Sequence, residues 1–174
     1  MTFNDPFLDP LEGHAKAIGA VCIHWAWLEF IAESVLMQLM GVRIDDPTGH
    51  CVAVNSDVRS KLAMIKSIGF LKRPSDDWFN RLEALVNKID NKVRTDRIVI
   101  HDIWRKETDG ATTRTQAVAM VIKPQAGQRS FVARKHVAQS DAEVMAVAEE
   151  VRDSSFALWD LARELPNFQS SIER

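Results

Sequence analysis

Arg94 and His101 are the two residues whose types and spacing could together do chemistry on a charged substrate. Histidine titrates near neutral pH, so its imidazole can accept or donate a proton during a reaction. An arginine guanidinium presents a planar fork of N–H donors that matches the oxygens of a phosphate group. Because residues seven apart lie two turns apart on one face of an α-helix, a helix over this segment would present both side chains together.

The neighbours of this pair extend a polar stripe along the same predicted helix. Asp90 lies four residues before Arg94, and Arg97 lies four residues before His101. Such four-residue steps keep side chains on one helix face. We predict that this stripe lies at the rim of the core, where two helices or two subunits could form a groove, with Asp102 beside it.

Each of these residues also has a purely structural explanation. Arg94 can pair with Asp90 on a solvated helix face, and His101 can cover apolar packing beside Trp104. Glu29, on the first predicted helix, is either solvated or reaches across to orient Arg94 or His101.

Other types of chemical site lack the residues they need. The two cysteines, Cys22 and Cys51, form no CxxC pair, which excludes a zinc ribbon or a redox motif of that kind. The five histidines are scattered without metal-ligand spacing, and the chain has no glycine-rich phosphate loop, HExxH or GxSxG sequence. We therefore expect neither a metal nor a cofactor.

The net charge of −2 hides an uneven distribution along the chain. Segment 92–136 holds ten Lys or Arg residues against four acids, which makes it +6 and leaves the remainder at −8. A basic segment in an acidic protein allows an anionic partner to bind at one surface. A solvated hairpin that happens to be basic explains the same pattern equally well.

Hydrophobic spacing predicts a mainly α fold: a four-helix bundle with a β-hairpin inserted before the last helix, in a single domain over 1–174. The predicted helices cover about 11–40, 55 or 56 to 71, 75 to at least 101, and 140–165. Residues rich in Thr, Val and Ile around a turn at 124–127 predict the hairpin over about 112–137. Four tryptophans are expected in the core: Trp25, Trp27, Trp78 and Trp159.

The location expected from the sequence is the cytoplasm, with no membrane partner. The first ten residues contain two aspartates and no basic run, so they do not resemble a signal peptide. The most apolar stretch, 18–32, contains His24 and Glu29 and is too short to span a bilayer.

The sequence around the arginine and histidine resembles the HEPN ribonucleases, helical proteins whose signature is an arginine followed within a few residues by a histidine. Arg94 and His101 match this signature with six residues between them, and Thr95 stands where the family usually has a polar residue. The run Arg97–Trp104 is similar to the histidine-then-tryptophan ending of many bacterial HEPN-like proteins. In the shorter form of the signature the arginine would stand at position 96, which is Asp96 here.

The resemblance extends over most of the chain. The run Trp25–Glu29 is similar to the Trp and Glu pattern of the family's first helix, and the order of helices and hairpin fits as well. The same arginine-to-histidine spacing recurs at Arg43 with His50 and at Arg129 with His136, in a predicted loop and a predicted strand. Of the three pairs, only the one at Arg94 is predicted to lie on a helix.

The resemblance implies a metal-independent endoribonuclease, acting as a toxin or a defence effector that an antitoxin partner restrains. In such an enzyme the 2′-hydroxyl of RNA attacks the phosphate, His101 moves the proton and Arg94 stabilises the developing charge. It also implies a homodimer in which two such pairs face each other. Two alternatives remain open: a non-catalytic HEPN-like dimer that binds RNA or protein, and a helical scaffold unrelated to nucleic acid.

Overall fold

The computed structural model describes residues 11–43, 46–47, 49, 51, 55–97, 100, 103–107, 111–120 and 131–165. Within these residues the chain forms four long helices and one three-stranded sheet. The helices are α1 (Glu12–Met40), α2 (Val58–Lys72), α3 (Asp76–Lys88) and α4 (Asp141–Arg163). The strands are β1 (Ile103–Lys106), β2 (Thr112–Met120) and β3 (Phe131–Ala138). The prediction of a mainly α fold with strands before the last helix is confirmed.

Three helix ends follow signals that are visible in the sequence. Gly41 ends α1 with a φ of 75°, a left-handed conformation that glycine adopts without the steric cost of a Cβ atom. At the start of α3 the hydroxyl of Ser75 accepts a hydrogen bond from the backbone N–H of Trp78. Ser140 and Glu143 form the predicted capping box of α4, because each side chain accepts from the backbone N–H of the other.

The start of α2 differs slightly from the prediction. Asp57 caps this helix, rather than Asn55 or Ser56, and its carboxylate accepts a 2.7 Å hydrogen bond from the backbone N–H of Ser60. A carboxylate at this position also opposes the positive end of the helix dipole. Asn55 instead donates from its amide to the carbonyl of Cys51 at 2.7 Å. All three residue types can cap a helix, so their identities alone did not select among them.

The strands form an antiparallel sheet in the order β1-β2-β3. β2 and β3 pair from Thr113 with Ala138 to Met120 with Phe131, close to the bounds predicted for the hairpin. The predicted turn at 124–127 lies outside the described residues. β1 was not predicted, because a strand of four residues is too short to show a clear alternation of apolar and polar side chains.

The core lies where α1 and α4 pack together, joined by apolar faces of α2 and α3. Its largest fully buried side chains include Leu28, Leu62, Trp78 and Leu158, one from each helix. The indole N–H of Trp78 donates to the carbonyl of Leu161 at 2.8 Å, so this side chain has no unsatisfied polar atom. A second, smaller core cluster joins α1 to the start of α4 through Ala17, Val21, Val144 and Ala148.

Three of the four tryptophans expected in the core pack there. Trp25 and Trp78 are buried, and Trp159 is half-buried against the same core. Trp27 is 36% exposed and stacks on Phe30, with their ring centroids 5.4 Å apart. The prediction for Trp27 is therefore wrong: apolar residues of α1 extend beyond the face that packs on the bundle.

The helix α1 is longer than the apolar stretch 18–32, and by length and composition it could cross a membrane. Half of its most apolar stretch is buried inside the fold. A core helix of a soluble protein and a signal sequence both meet this criterion, so the hydropathy of α1 assigns no location.

Candidate functional site

A change in helical winding after α3 positions Arg94. The helix continues as a π-helical turn, Ile89–Val93, and the backbone N–H of Arg94 donates to the carbonyl of Ile89, five residues back. The side chain of Arg94 donates from Nε to the carboxylate of Asp90 at 2.8 Å and to its backbone carbonyl at 3.1 Å. Asp90 and Arg94 thus form the predicted pair, and π-helical turns of this kind are frequent at functional sites.

Arg94 lines a polar pocket of about 460 Å³. Glu29 from α1 and Arg97 line the same pocket, so three of the side chains selected from the sequence share it. The rest of the described lining comes from the start of α2: Ser56, Asp57, Val58, Arg59 and Lys61. The volume lies within the range of roughly 300–1,000 Å³ found for small-ligand sites. The lining carries four cationic side chains and two carboxylates.

Among the described residues, an aromatic ring rather than a carboxylate contacts the guanidinium of Arg97. Its guanidinium carbon lies 4.2 Å from the centroid of the Trp25 ring, within the range of a cation–π contact. The indole N–H of Trp25 donates to Glu29 at 2.7 Å, which fixes the ring. Nε of Arg97 is buried and has no hydrogen-bond partner among the described residues. Arg97 therefore brings to the pocket a positive charge that has no carboxylate partner among the described residues.

Lys61 and Arg59, the cations contributed by α2, have carboxylate partners. Lys61 Nζ lies 3.4 Å from Glu33 Oε2, and both side chains are largely buried between α2 and α1. Arg59 Nε lies 3.6 Å from the carboxylate of Asp90, which also holds Arg94. Asp90 thus connects two arginines from different helical segments and keeps both beside the pocket.

The two carboxylates of the lining are themselves engaged. Glu29 accepts the hydrogen bond from the Trp25 indole. Hydrogen bonds from the backbone and side chain of Ser60 lower the pKa of Asp57, and the positive charges of Arg59 and Arg94 act in the same direction. Asp57 is therefore ionised at neutral pH and stabilises the start of α2 rather than competing for protons in the pocket.

Lys92, at the start of the basic segment, pairs with α4 and does not line this pocket. Lys92 forms an ion pair with Glu150, which also binds Lys88 at 2.8 Å. Hydrogen bonds from these two lysines lower the pKa of the Glu150 carboxyl. The cations of the pocket come instead from Arg94 and Arg97 together with two residues of α2.

His101 and Asp102 lie outside the described residues, so the prediction that His101 shares a groove with Arg94 stays a prediction. The flanking residues Ile100 and Trp104 are half-buried and pack on the smaller core cluster. The ring of Trp104 has His14 as a neighbour, with their centroids 5.2 Å apart.

The predicted third helix, 75–101, is interrupted before its expected end. After the π-helical turn the winding is α-helical again at Arg94–Asp96, and it tightens to 3₁₀ geometry at Arg97 and Ile100, before β1 begins. Three consecutive β-branched residues, 98–100, lower the helix propensity of this stretch. A 3₁₀ turn has 3.0 residues rather than 3.6. The described residues after Asp96 therefore do not continue the regular α-helix that the prediction for Arg94 and His101 assumed.

No group of three or more His, Cys, Asp or Glu side chains that could hold a metal ion occurs among the described residues. The chemistry that the described site offers is electrostatic. Two guanidinium groups, from Arg94 and Arg97, and two cations from α2 surround a space that an oxyanion could occupy.

Sequence reasoning missed the contribution of α2 to this site. Arg59 and Lys61 lie two residues apart at the start of an ordinary helix, a pattern that carries no functional signal by itself. Trp25 was expected in the core, and it is both a buried residue and the ring on which Arg97 stacks. Only the packing of α1, α2 and the segment after α3 brings these residues together.

Comparison with protein-family models, curated proteins and solved structures finds no match. The resemblance to the HEPN ribonucleases therefore depends on the residues quoted from the sequence.

Proposed function

We propose that the chain is a metal-independent endoribonuclease of the HEPN type, acting in the cytoplasm as a toxin or a defence effector under the control of an antitoxin partner. The observation that supports this most strongly is the shared pocket of Glu29, Arg94 and Arg97. These residues were selected from sequence patterns on two separate helices, and they line one cationic space.

In the proposed reaction each residue has a chemical task. Arg94 stabilises the negative charge that builds on the phosphate as the 2′-oxygen attacks. Its side chain is 36% exposed, and its contact with Asp90 is made through Nε. His101 takes the proton from the 2′-hydroxyl or supplies one to the leaving 5′-oxygen. Glu29 acts indirectly, because it fixes Trp25 and so the neighbouring Arg97.

Cleavage of RNA by the purified protein is expected to persist in EDTA and to leave 2′,3′-cyclic phosphate ends. The reason is that the proposed chemistry uses imidazole and guanidinium, with the 2′-oxygen as the attacking atom. Gel-resolved digestion of total and synthetic RNA, with and without chelator, checks the first point, and mass spectrometry of the products checks the second. Complete loss of cleavage in EDTA would refute this mechanism.

A homodimer is part of the proposal, since one histidine can do one proton transfer at a time. An exposed apolar surface on α1 supports it: Ile23 is 70% exposed, Trp27 36% and Phe30 41%. These residues follow one face at steps of four and three, on the helix that also carries Glu29. An exposed apolar stripe of this kind is typical of surfaces that bind another chain.

The wild-type protein is expected to have the mass of a dimer at micromolar concentration, and Trp27→Ser with Phe30→Ser is expected to give a monomer. Both side chains are exposed, so the double change should remove apolar contact area without unfolding the domain. Light scattering gives the masses. Leu71→Ser, at a residue 79% exposed on α2, is the matched control and should remain dimeric. A monomeric wild-type protein would count against the dimer.

The second candidate is a non-catalytic HEPN-like dimer that binds RNA or protein. One observation favours it: Ile89–Val93 form a π-helical turn, and Arg97 and Ile100 have 3₁₀ geometry, so the described residues around Arg94 do not form one regular α-helix. This candidate predicts binding of RNA without cleavage, and the digestion experiment separates it from the ribonuclease.

A further inference from the structure

As far as the described residues show, Arg97 is the cation of the pocket whose charge is least compensated. Among the described residues it has no carboxylate partner, its guanidinium lies over Trp25, and its buried Nε has no acceptor. A buried donor on a charged group that lacks an acceptor lowers the stability of the fold. Because Arg97 also lines the pocket and its charge has no carboxylate partner among the described residues, its guanidinium is available to an anionic ligand.

The position of Arg97 is set before any ligand binds. Trp25 is only 5% exposed, and its indole is tied to Glu29 by a 2.7 Å hydrogen bond. The guanidinium stacks on this fixed ring at 4.2 Å. Because the side chain is already ordered, binding through Arg97 loses little conformational entropy.

The lining fits a phosphate group better than a nucleobase. None of its eight described residues is aromatic, and a guanidinium already covers a face of Trp25, so no lining ring is available for a base to stack on. Arg94 and Arg97 line the same space as Lys61 and Arg59. The parallel N–H donors of a guanidinium group match the oxygens of a phosphate. Asp90 and Glu33 form ion pairs with three of the four cations of the lining. Among the described residues, this leaves Arg97 as the lining cation without a carboxylate partner.

We infer that this pocket binds a backbone phosphate of single-stranded RNA, with Arg97 as its principal contact. The inference deepens the proposed ribonuclease function and rests on it for the identity of the ligand. Arg97 holds the strand beside Arg94 and takes no part in proton transfer. Because the contact is to phosphate, it is independent of base sequence.

The test uses a fluorescein-labelled, twelve-nucleotide 2′-O-methyl RNA, which binds but lacks the 2′-hydroxyl needed for cleavage. Anisotropy gives Kd for two unrelated sequences over a range of salt concentrations. Arg97→Ala is expected to weaken binding of both sequences about tenfold and to reduce the slope of log K against log salt by roughly 0.7. Arg97→Lys should keep most of the slope and recover only part of the affinity, because lysine has no fork.

Arg73→Ala is the matched control. Arg73 also lies over an aromatic ring, 4.3 Å from the centroid of Phe70, but it pairs with Asp76 and does not line the pocket. Its loss should change Kd less than twofold. Equal affinity and salt slope for Arg97→Ala and wild type would overturn the inference. Binding of inorganic phosphate in the pocket without binding of the oligonucleotide would overturn the RNA assignment.

The outcome is separable from that of the proposed function. Arg97-dependent binding of the 2′-O-methyl RNA by a protein that cuts no unmodified RNA would uphold the pocket and reject the ribonuclease. Cleavage that proceeds while Arg97→Ala leaves binding unchanged would uphold the ribonuclease and reject the pocket.

Discussion

Replacing His101 with alanine is expected to lower the rate of RNA cleavage by roughly 10²–10⁴-fold, the usual contribution of a general acid or base. Replacing Arg94 with alanine is expected to lower it by roughly 10²–10³-fold, because the charge on the phosphate loses a fixed donor. Initial rates on a synthetic RNA, measured by gel, give both values. Each variant should keep its helical circular dichroism. Arg94 is also partly exposed, so its loss removes only the contact with Asp90.

The chain supplies its own control for these two substitutions. Arg129 and His136 have the same spacing as Arg94 and His101, but His136 lies in β3, opposite Thr115 of β2. Alanine at either control position should leave the cleavage rate unchanged. A His101→Ala variant that cuts as fast as wild type would rule out the proposed proton transfer while leaving the fold unaffected.

The largest effect on stability is expected from Trp78→Ala. This side chain is 1% exposed at the junction of α3 and α4, and its indole N–H donates a hydrogen bond to the carbonyl of Leu161. Its removal leaves a cavity and takes one hydrogen bond from the carbonyl of Leu161, which still accepts from the backbone N–H of Glu164. Loss of a buried tryptophan costs about 3–5 kcal/mol. For a chain of this size that corresponds to a fall in Tm of roughly 6–20 °C. Urea unfolding followed by circular dichroism measures the free energy directly.

Two further substitutions show which part of that loss comes from packing. Trp78→Phe keeps an aromatic ring and removes the hydrogen bond to Leu161, so it should cost less than Trp78→Ala. Leu71→Ala, at a residue 79% exposed, should change the free energy of unfolding by less than about 0.5 kcal/mol. If Trp78→Ala lowered the free energy of unfolding by as little as Leu71→Ala does, the assignment of Trp78 to the core would be wrong.

The sequence predicted those parts of the fold that depend on local chemistry. Ser140 and Glu143 can cap a helix wherever they precede an apolar run, and Gly41 can end one because it lacks a Cβ atom. The strand β1 was missed because it has four residues and is recognised only by its pairing with β2. Trp27 was misplaced because a count of apolar residues on α1 does not say which of them find a partner.

The candidate site was predictable only in part, and for a related reason. Asp90 and Arg94 are four residues apart, so their contact is local and could be inferred. The contact of Arg97 with Trp25 joins residues 72 positions apart in sequence. It depends on how α1 packs against the helical residues that follow α3. The same is true of Lys61, whose partner Glu33 lies on another helix.

The π-helical turn Ile89–Val93 also affects how this chain should be aligned with others. Hydrogen bonds to the fifth preceding residue, instead of the fourth, add about one residue to a turn of helix. A homologous helix without the turn would therefore need one residue fewer between the apolar positions of α3 and its arginine. An alignment that forbids a gap at 89–93 would place that arginine opposite the wrong residue, although the two guanidinium groups occupied the same place in space.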